Sequence, residues 1–492
     1  MFNRYLIIGL IVWVANLSAQ DTMMVSLSLK NVVDLGISQS SAVKYVQNQD
    51  VNYYWRWKNH QTRFRPQLTL SGSLPDFENQ TKPITQPDGS IVFNEVTQLE
   101  TSAQLAIYQP IPQLGANVYA ASGIVRLQDF NNNTVGFSGY PVSVGIIQPL
   151  FAYNWMKWTR MTEPLVYEEA QKQFIESIEE ISATATSLFF NYLKIQTNYS
   201  LAETNLKNSK DNLKIARVKQ ELGNISENDF SRIQLSVFNA QKALNNARID
   251  LKNADYELKK YIGLDQKYQI ELIIPLDMIL WEVDPEKALA ESLENRKETP
   301  QYERRLIQAD RDLTQAKRNA GVNATLNMSY GVSNSADVFG GIYENPEQQQ
   351  NVSLSLSVPI LDWGRSESQI KLAESQRELV LYDVDQDRQD FERGVVVQVE
   401  QFNLIKSQIE TAEAADKVAA EGYLIALKKF QNGEISITDL NISLAEREGA
   451  KRDYIRSIEN YWESYYRLRE ITLYDFEFQQ KIYYTNPMLT TQ

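Results

Sequence analysis

The sequence contains no cysteine, one histidine, and only 20 glycines and 15 prolines in 492 residues. Without cysteine there is no disulfide, no thiolate metal ligand, no thiol nucleophile, and no lipid attachment through an N-terminal cysteine. His60 lies in the aromatic-rich stretch NYYWRWKNHQTRF and reads as a packing or surface residue. No HExxH, Walker loop, dinucleotide fingerprint or Gly-x-Ser-x-Gly accompanies it. Carboxylates fall mostly off the apolar seams, as on solvated helix faces. The chain therefore reads as a non-enzyme with no cofactor and no metal site. Positive charge is the minority: 49 Lys and Arg stand against 62 Asp and Glu, a net charge of −13. That excludes general nucleic-acid binding, because no basic surface is available to displace counterions from phosphates. Long apolar runs are missing too. Beyond the first twenty residues, no segment approaches the roughly 18 apolar residues of a transmembrane helix.

What is present begins with MFNRYLIIGLIVWVANLSAQ, residues 1–20. Arg4 precedes a short apolar run, and Ser18 and Ala19 are small, the layout of a signal peptide cut near Ala19 or Gln20. An exported chain is expected.

The rest is a duplication. Shifted by 210 residues, Gly223 falls on Gly433, Ile225 on Ile435, Ser226 on Ser436, Asp229 on Asp439, Pro149 on Pro359 and Tyr256 on Tyr466, without a gap. Upstream the shift becomes 256, pairing Thr69 with Thr325, so the first copy carries 46 extra residues. The expected layout is a first repeat at 21–262, a connection at 263–284, a second repeat at 285–475 and a tail at 476–492.

Within each repeat, apolar residues step alternately by 4 and 3, as in Phe174, Ile178, Ile181, Ala185, Leu188 and Tyr192. This is a heptad seam. The second copy repeats it through Phe391, Val395, Phe402, Ile405 and Ile409, with Gln398 and Asp416 as polar interruptions. Helical hairpins are expected over 163–262 and 365–475. A run from Glu163 to Leu222 is a rod of roughly 90 Å at ~1.5 Å per residue, too long to wrap a compact core. The tips near 223 and 433 have a local cause: Gly ends one helix in the left-handed conformation, and Ser and Asp supply capping oxygens to the next.

Period-two segments lie between the helices, at 67–74, 143–150, 324–332 and 351–361. In NVSLSLSVPIL, Val352, Leu354, Leu356, Val358 and Ile360 share one face, and Ser353, Ser355 and Ser357 the other. Such strands suit either a soluble two-sheet sandwich or a membrane barrel. Their length, the export signal and the aromatic clusters Tyr153, Trp155, Trp158 and Trp363 at the strand-to-helix junctions favour the barrel, with those rings at the membrane interface. Four strands make an open sheet, which hydrocarbon does not tolerate, so subunits must pool them. Three copies give twelve strands around a wet lumen and two give a narrow eight-stranded barrel. The insertion 75–142 either adds strands or forms an external loop.

The order helix, two strands, long helix, Gly-containing tip, long helix, given twice, resembles the TolC-like outer-membrane efflux proteins. LSLKNVVDLGISQSSAVKYV, VPILDWGRSESQIKLA, GNISENDF and GEISITDL carry the likeness, which spans about 27 to 475. It implies a mixed α+β membrane protein of two tandem repeats. It also implies a homotrimer with a twelve-stranded barrel in outer-membrane lipid, continued by a periplasmic α-helical barrel. The partners implied are a periplasmic adaptor and an inner-membrane transporter, of a tripartite efflux or type I secretion system. The adaptor is expected at the tips: Gly223, Asn224, Ile225, Ser226, Gly433, Glu434, Ile435 and Ser436. Asp439, and Asp229 in the first copy, take the place of an acidic ring narrowing the tunnel mouth. The family's second carboxylate ring falls on Ile442 and its occasional basic gate residue on Ile435, so a single acidic ring is expected here. Helix capping is the other role open to Asp439. A periplasmic coiled-coil scaffold without a pore is the alternative reading of the whole chain.

Overall fold

The computed structural model describes residues 23–223, 225–279 and 281–490. The expected signal peptide and Asn224 lie outside them. In chain order the elements are β1 (Met23–Leu27), α1 (Leu29–Gln39), α2 (Ser41–Arg63), β2 (Gln67–Ser71), β3 (Asp76–Thr85), β4 (Ile91–Ile111), β5 (Ala116–Asp129) and β6 (Thr134–Leu150). Next come α3 (Trp155–Glu221), α4 (Glu227–Ile262), β7 (Tyr268–Leu272), α5 (Pro285–Asn295) and α6 (Glu298–Asn319). The chain continues with β8 (Asn323–Ala336), β9 (Glu347–Ser357), α7 (Arg365–Asn432) and α8 (Ile437–Thr472). Two compact units result. One takes in residues up to Gln47, Ile175–Ser292 and Val395–Tyr484; the other takes in Asn48–Phe174, Leu293–Gly394 and the residues from Thr485. No helix among the described residues is long and apolar enough to cross a membrane.

The first unit is helical. The heptad positions Ile178, Ile181, Ala185 and Tyr192 on α3 and Val395, Phe402, Ile405 and Ile409 on α7 are all buried. Both polar interruptions of the second seam have partners: Gln398 Nε2 donates to Ser464 Oγ (2.9 Å), and Lys451 Nζ pairs with Asp416 (3.1 Å). A parallel ladder of β1 and β7, Val25 opposite Ile270, lies on α3. There Tyr192 donates its hydroxyl to Ile270 O (2.8 Å), and Gln196 exchanges two hydrogen bonds with the Leu272 backbone. Leu27, Val32, Phe189, Phe190, Leu258, Ile262 and Ile458 close a common core.

The second unit holds an antiparallel sheet ordered β2-β4-β5-β6-β8-β9, with β3 continuing beside β4 beyond β2. The expectation of four strands per chain is corrected to six sheet positions. Residues of the 75–142 insertion form β3, β4 and β5 and extend β6 upstream to Thr134. At the other expected strands, β2 ends at Ser71 and β9 at Ser357, while β8 runs from Asn323 to Ala336. The register aligns Leu68, Ile107, Ala120, Val144 and Tyr330 in one cross-strand row on one face. The next row, Gln67, Tyr108, Tyr119, Gly145 and Ser329, lies on the opposite face. Gly145 is required: a Cβ there would sit 2.5 Å from the Tyr119 ring directly across from it. The sheet stays open among the described residues, because β2 and β9 at its two sides are not paired with each other.

Helix α3 starts eight residues before the expected hairpin. Asn154 Oδ1 accepts from the Lys157 N–H (3.1 Å), as an N-cap does, and Pro164 falls inside the helix rather than at its first turn.

Candidate functional site

At the first tip, Gly223 takes φ +73° after α3, and Ser226 is the N-cap of α4, accepting from Asp229 N (3.1 Å). At the second tip, Gly433 takes φ +83° and Ser436 caps α8 through a full capping box. Asp439 N donates to Ser436 Oγ (3.2 Å), and both Ser436 N (3.0 Å) and Ser436 Oγ (2.7 Å) donate to Asp439 Oδ2. These bonds from the Ser436 hydroxyl and backbone hold the Asp439 carboxyl below its ordinary value of 3.8, so it stays charged at neutral pH. Asp439 is exposed, Asp229 is half-buried, and Glu434 is exposed with one oxygen accepting from Asn432 Nδ2 (3.1 Å). Ile225 and Ile435 are half-buried.

The two tips are joined. Ala216 and Ile233 of the first hairpin and Tyr423, Ile437 and Leu440 of the second share a buried core, with Ile225 packed against it. Polar ties flank it: Lys219 Nζ donates to Gln431 O (2.9 Å), and Asn208 Nδ2 donates to the Tyr423 hydroxyl (3.1 Å). Sequence reasoning missed Lys219. The available signal was a basic residue in the last helical turn, repeated 210 positions later as Lys429. An open groove of about 960 Å³ runs between α3, α4 and α8 above the tips; Asn205, Arg232, Asn239, Asn441 and Arg452 are among its lining.

At the sheet end, the four aromatic residues sit where strands give way to helices. Trp155 opens α3 with the Arg63 guanidinium 4.4 Å from its ring centre, and Lys157 Nζ lies 5.7 Å from the Trp158 ring. Tyr153 is half-buried. Trp363 is 89% exposed at φ +56°. Its turn is built by Asp362, whose carboxylate accepts from Gly364 N (3.1 Å) and Ser366 N (2.9 Å) at the start of α7. No cluster of three or more His, Cys, Asp or Glu able to hold a metal occurs among the described residues.

Solved structures share this architecture. The Campylobacter jejuni CmeC outer membrane channel superposes with TM-score 0.64 at 13% identity, over 94% of this chain and 88% of that one. The Vibrio cholerae outer membrane protein VceC gives 0.64 at 10% identity, over 92% and 97%. The open state of the Neisseria gonorrhoeae MtrE outer membrane channel gives 0.59 at 13%, over 93% and 91%. No curated protein matches by sequence. The profile of the family described as "Outer membrane efflux protein" matches residues 94–264 and 289–472, well over half of the chain. The chain belongs to the outer membrane efflux protein family, whose members are efflux channels of the outer membrane and not enzymes.

Proposed function

We propose that three copies assemble into a passive channel-tunnel. Their sheets close into one barrel in outer-membrane lipid, and their helical hairpins form a periplasmic α-helical barrel. One observation carries the reading. The sheet is open at both sides and exposes apolar side chains along one face, including Leu68, Leu70, Val352, Leu354 and Leu356. Hydrocarbon tolerates such a face but not the open edges, so other copies must complete it. The helices add support: Leu235, Phe238, Ile249 and Tyr256 on α4 and Leu404, Val418 and Ile425 on α7 are exposed in the single chain, a surface suited to neighbouring subunits.

In this reading an inner-membrane transporter delivers the solute and a periplasmic adaptor meets the tips at Gly223, Ile225, Ser226, Gly433, Glu434, Ile435 and Ser436. The system is tripartite efflux, or type I secretion where the cargo is a polypeptide. Three Asp439 carboxylates, brought close by threefold symmetry, form an acidic ring that binds cations at the closed mouth, with Asp229 nearby on the first hairpin. Capping and gating are compatible, since Ser436 engages Oδ2 and leaves Oδ1 without a bond to it. Tyr153, Trp155, Trp158 and Trp363 lie at the periplasmic membrane–water boundary of the barrel.

The test is mass measurement in detergent micelles combined with planar-bilayer recording. A threefold mass, retention in outer membranes after a salt wash, and divalent-cation block that weakens in Asp439→Asn are expected. A monomer that conducts refutes the assembly, and unchanged block refutes the acidic ring.

A further inference from the structure

We infer that the wall of this channel has eighteen strands, not twelve, so that its outer-membrane end is a wide vestibule for bulky solutes. The inference rests on the trimeric reading above and adds the contribution of β4 and β5. Three observations place these two strands in the wall rather than outside it.

The first is length and position. β4 has 21 residues and β5 has 14, beyond the ~9–11 needed to cross a bilayer. Their connecting turn lies level with the bases of the flanking strands. Asn154, just before α3, donates its amide to Pro112 O (2.8 Å), and Gln109 Nε2 donates to Phe64 O just before β2 (2.9 Å). The hairpin thus traverses the whole sheet.

The second is parity. Leu105 and Ile107 of β4 stand opposite Leu70 and Leu68 of β2, continuing the apolar face, and remain 47% and 41% exposed. Between them Gln104, Ala106 and Tyr108 continue the face that carries Thr69 and Gln67. A lobe outside the membrane has no need to keep this alternation in step with its neighbours.

The third is direction. Every neighbouring pair along β2-β4-β5-β6-β8-β9 is antiparallel, so β9 and β2 run in opposite senses. β9 of one copy can therefore add to β2 of the next without breaking the antiparallel pattern, and all residues of both strands are exposed in the single chain. Three copies of six positions close at eighteen.

The size follows from sheet geometry. Strands ~4.8 Å apart and tilted ~40° give a backbone diameter of about 36 Å for eighteen strands and about 24 Å for twelve. Side chains reduce the clear width to roughly 25 Å, the regime in which barrels keep an aqueous channel. The wall row Gln67, Tyr108, Tyr119, Gly145, Ser329 and Asn351 carries hydroxyl, amide and aromatic groups and no formal charge. Further from the strand bases, Glu100 of β4 and Glu347 of β9 lie on the same face, so the wall is polar with acidic positions toward its far end, and its width accommodates bulky solutes.

Single-particle imaging of the solubilised protein tests this. A threefold particle with eighteen strands about 36 Å across is expected. A threefold particle with twelve strands about 24 Å across, and β4–β5 outside the wall, overturns the inference while leaving the channel reading intact. A particle without threefold symmetry overturns both. Because the chain has no cysteine, a second measurement needs no imaging: Ile107→Cys should react with a lipid-partitioned maleimide but not a water-soluble one, and Tyr108→Cys the reverse. Equal reaction of both with the water-soluble reagent places the hairpin outside the barrel and overturns the inference.

Discussion

Arg469→Ala should loosen the C-terminal segment far more than any surface substitution on α8. In the wild-type protein, Arg469 makes a two-pronged pair with Glu179, Nε to Oε2 and Nη2 to Oε1 at 2.9 Å each, and also contacts the Asp475 carboxylate. Glu179 is fully buried and also accepts from the Tyr484 hydroxyl (2.6 Å). Asp475 is buried, but its Oδ1 retains donors from the backbone of Glu477 (3.0 Å) and Phe478 (3.1 Å). Removing the guanidinium leaves Glu179 charged, buried and served by one phenol. Breaking a buried pair from one side costs about 3–5 kcal/mol, because the abandoned charge keeps its desolvation penalty. At ~1.4 kcal/mol per factor of ten, local opening should rise by about 10² to 4 × 10³. The readout is amide hydrogen exchange over 474–484, where Ile482 N–H donates to Leu473 O (3.0 Å). Arg456→Ala is the control: that side chain and its partner Asp453 on α8 are 63% and 64% exposed, and such pairs contribute at most about 1 kcal/mol. Adding Glu179→Gln to Arg469→Met should recover much of the loss, since no buried charge is stranded at that position. A less than tenfold change in Arg469→Ala would refute the argument that this cluster anchors the segment.

Four further outcomes follow from the tips and the sheet. Asp439 has a depressed carboxyl, so its charge and the capping it supports are fully present above its ordinary value of 3.8 and are lost as pH falls through the lower folded value. Protection of the α8 N-terminus from hydrogen exchange, corrected for intrinsic rates, should accordingly stay level as pH is lowered from neutral and be lost only below that ordinary value. Ser436→Ala removes the N-cap of α8 and should destabilise the second tip by about 1 kcal/mol, seen as faster exchange over 433–440, with Ser436→Asp restoring protection. Lys219→Met releases the Gln431 carbonyl of the neighbouring tip; at about 1 kcal/mol, resting open probability should rise roughly fivefold. Gly331→Ala places a Cβ 2.4 Å from Val142 O, a backbone atom with little freedom to yield. It should disrupt β6–β8 pairing, visible as loss of heat-modifiable migration on gels.

Much of this chain is local in origin and therefore legible in one dimension. The heptad spacing is a helix periodicity, the Ser and Leu alternation of β9 is a strand periodicity, and Gly433 with Ser436 is the chemistry of one turn; none needs a distant residue. The duplication is likewise a property of the string of letters, and it alone points to paired tips. Tertiary structure decided what depends on partners far along the chain. The six sheet positions arise because β4 and β5 pair with strands on both sides, and the small Ala106 and the ring of Tyr108 on their polar face blurred the alternation that marked the other strands. The β1–β7 ladder joins residues 23–27 to 268–272, which no local pattern links. Gln398 and Asp416 looked like breaks in a seam until Ser464 and Lys451 were seen across from them. Glu179 and Lys219 were two charged letters among many, and only packing made one of them buried and the other a tie between hairpins. Periodicity reports which face of an element is apolar; which surface that face meets is set by long-range pairing and by the desolvation of charges it encloses.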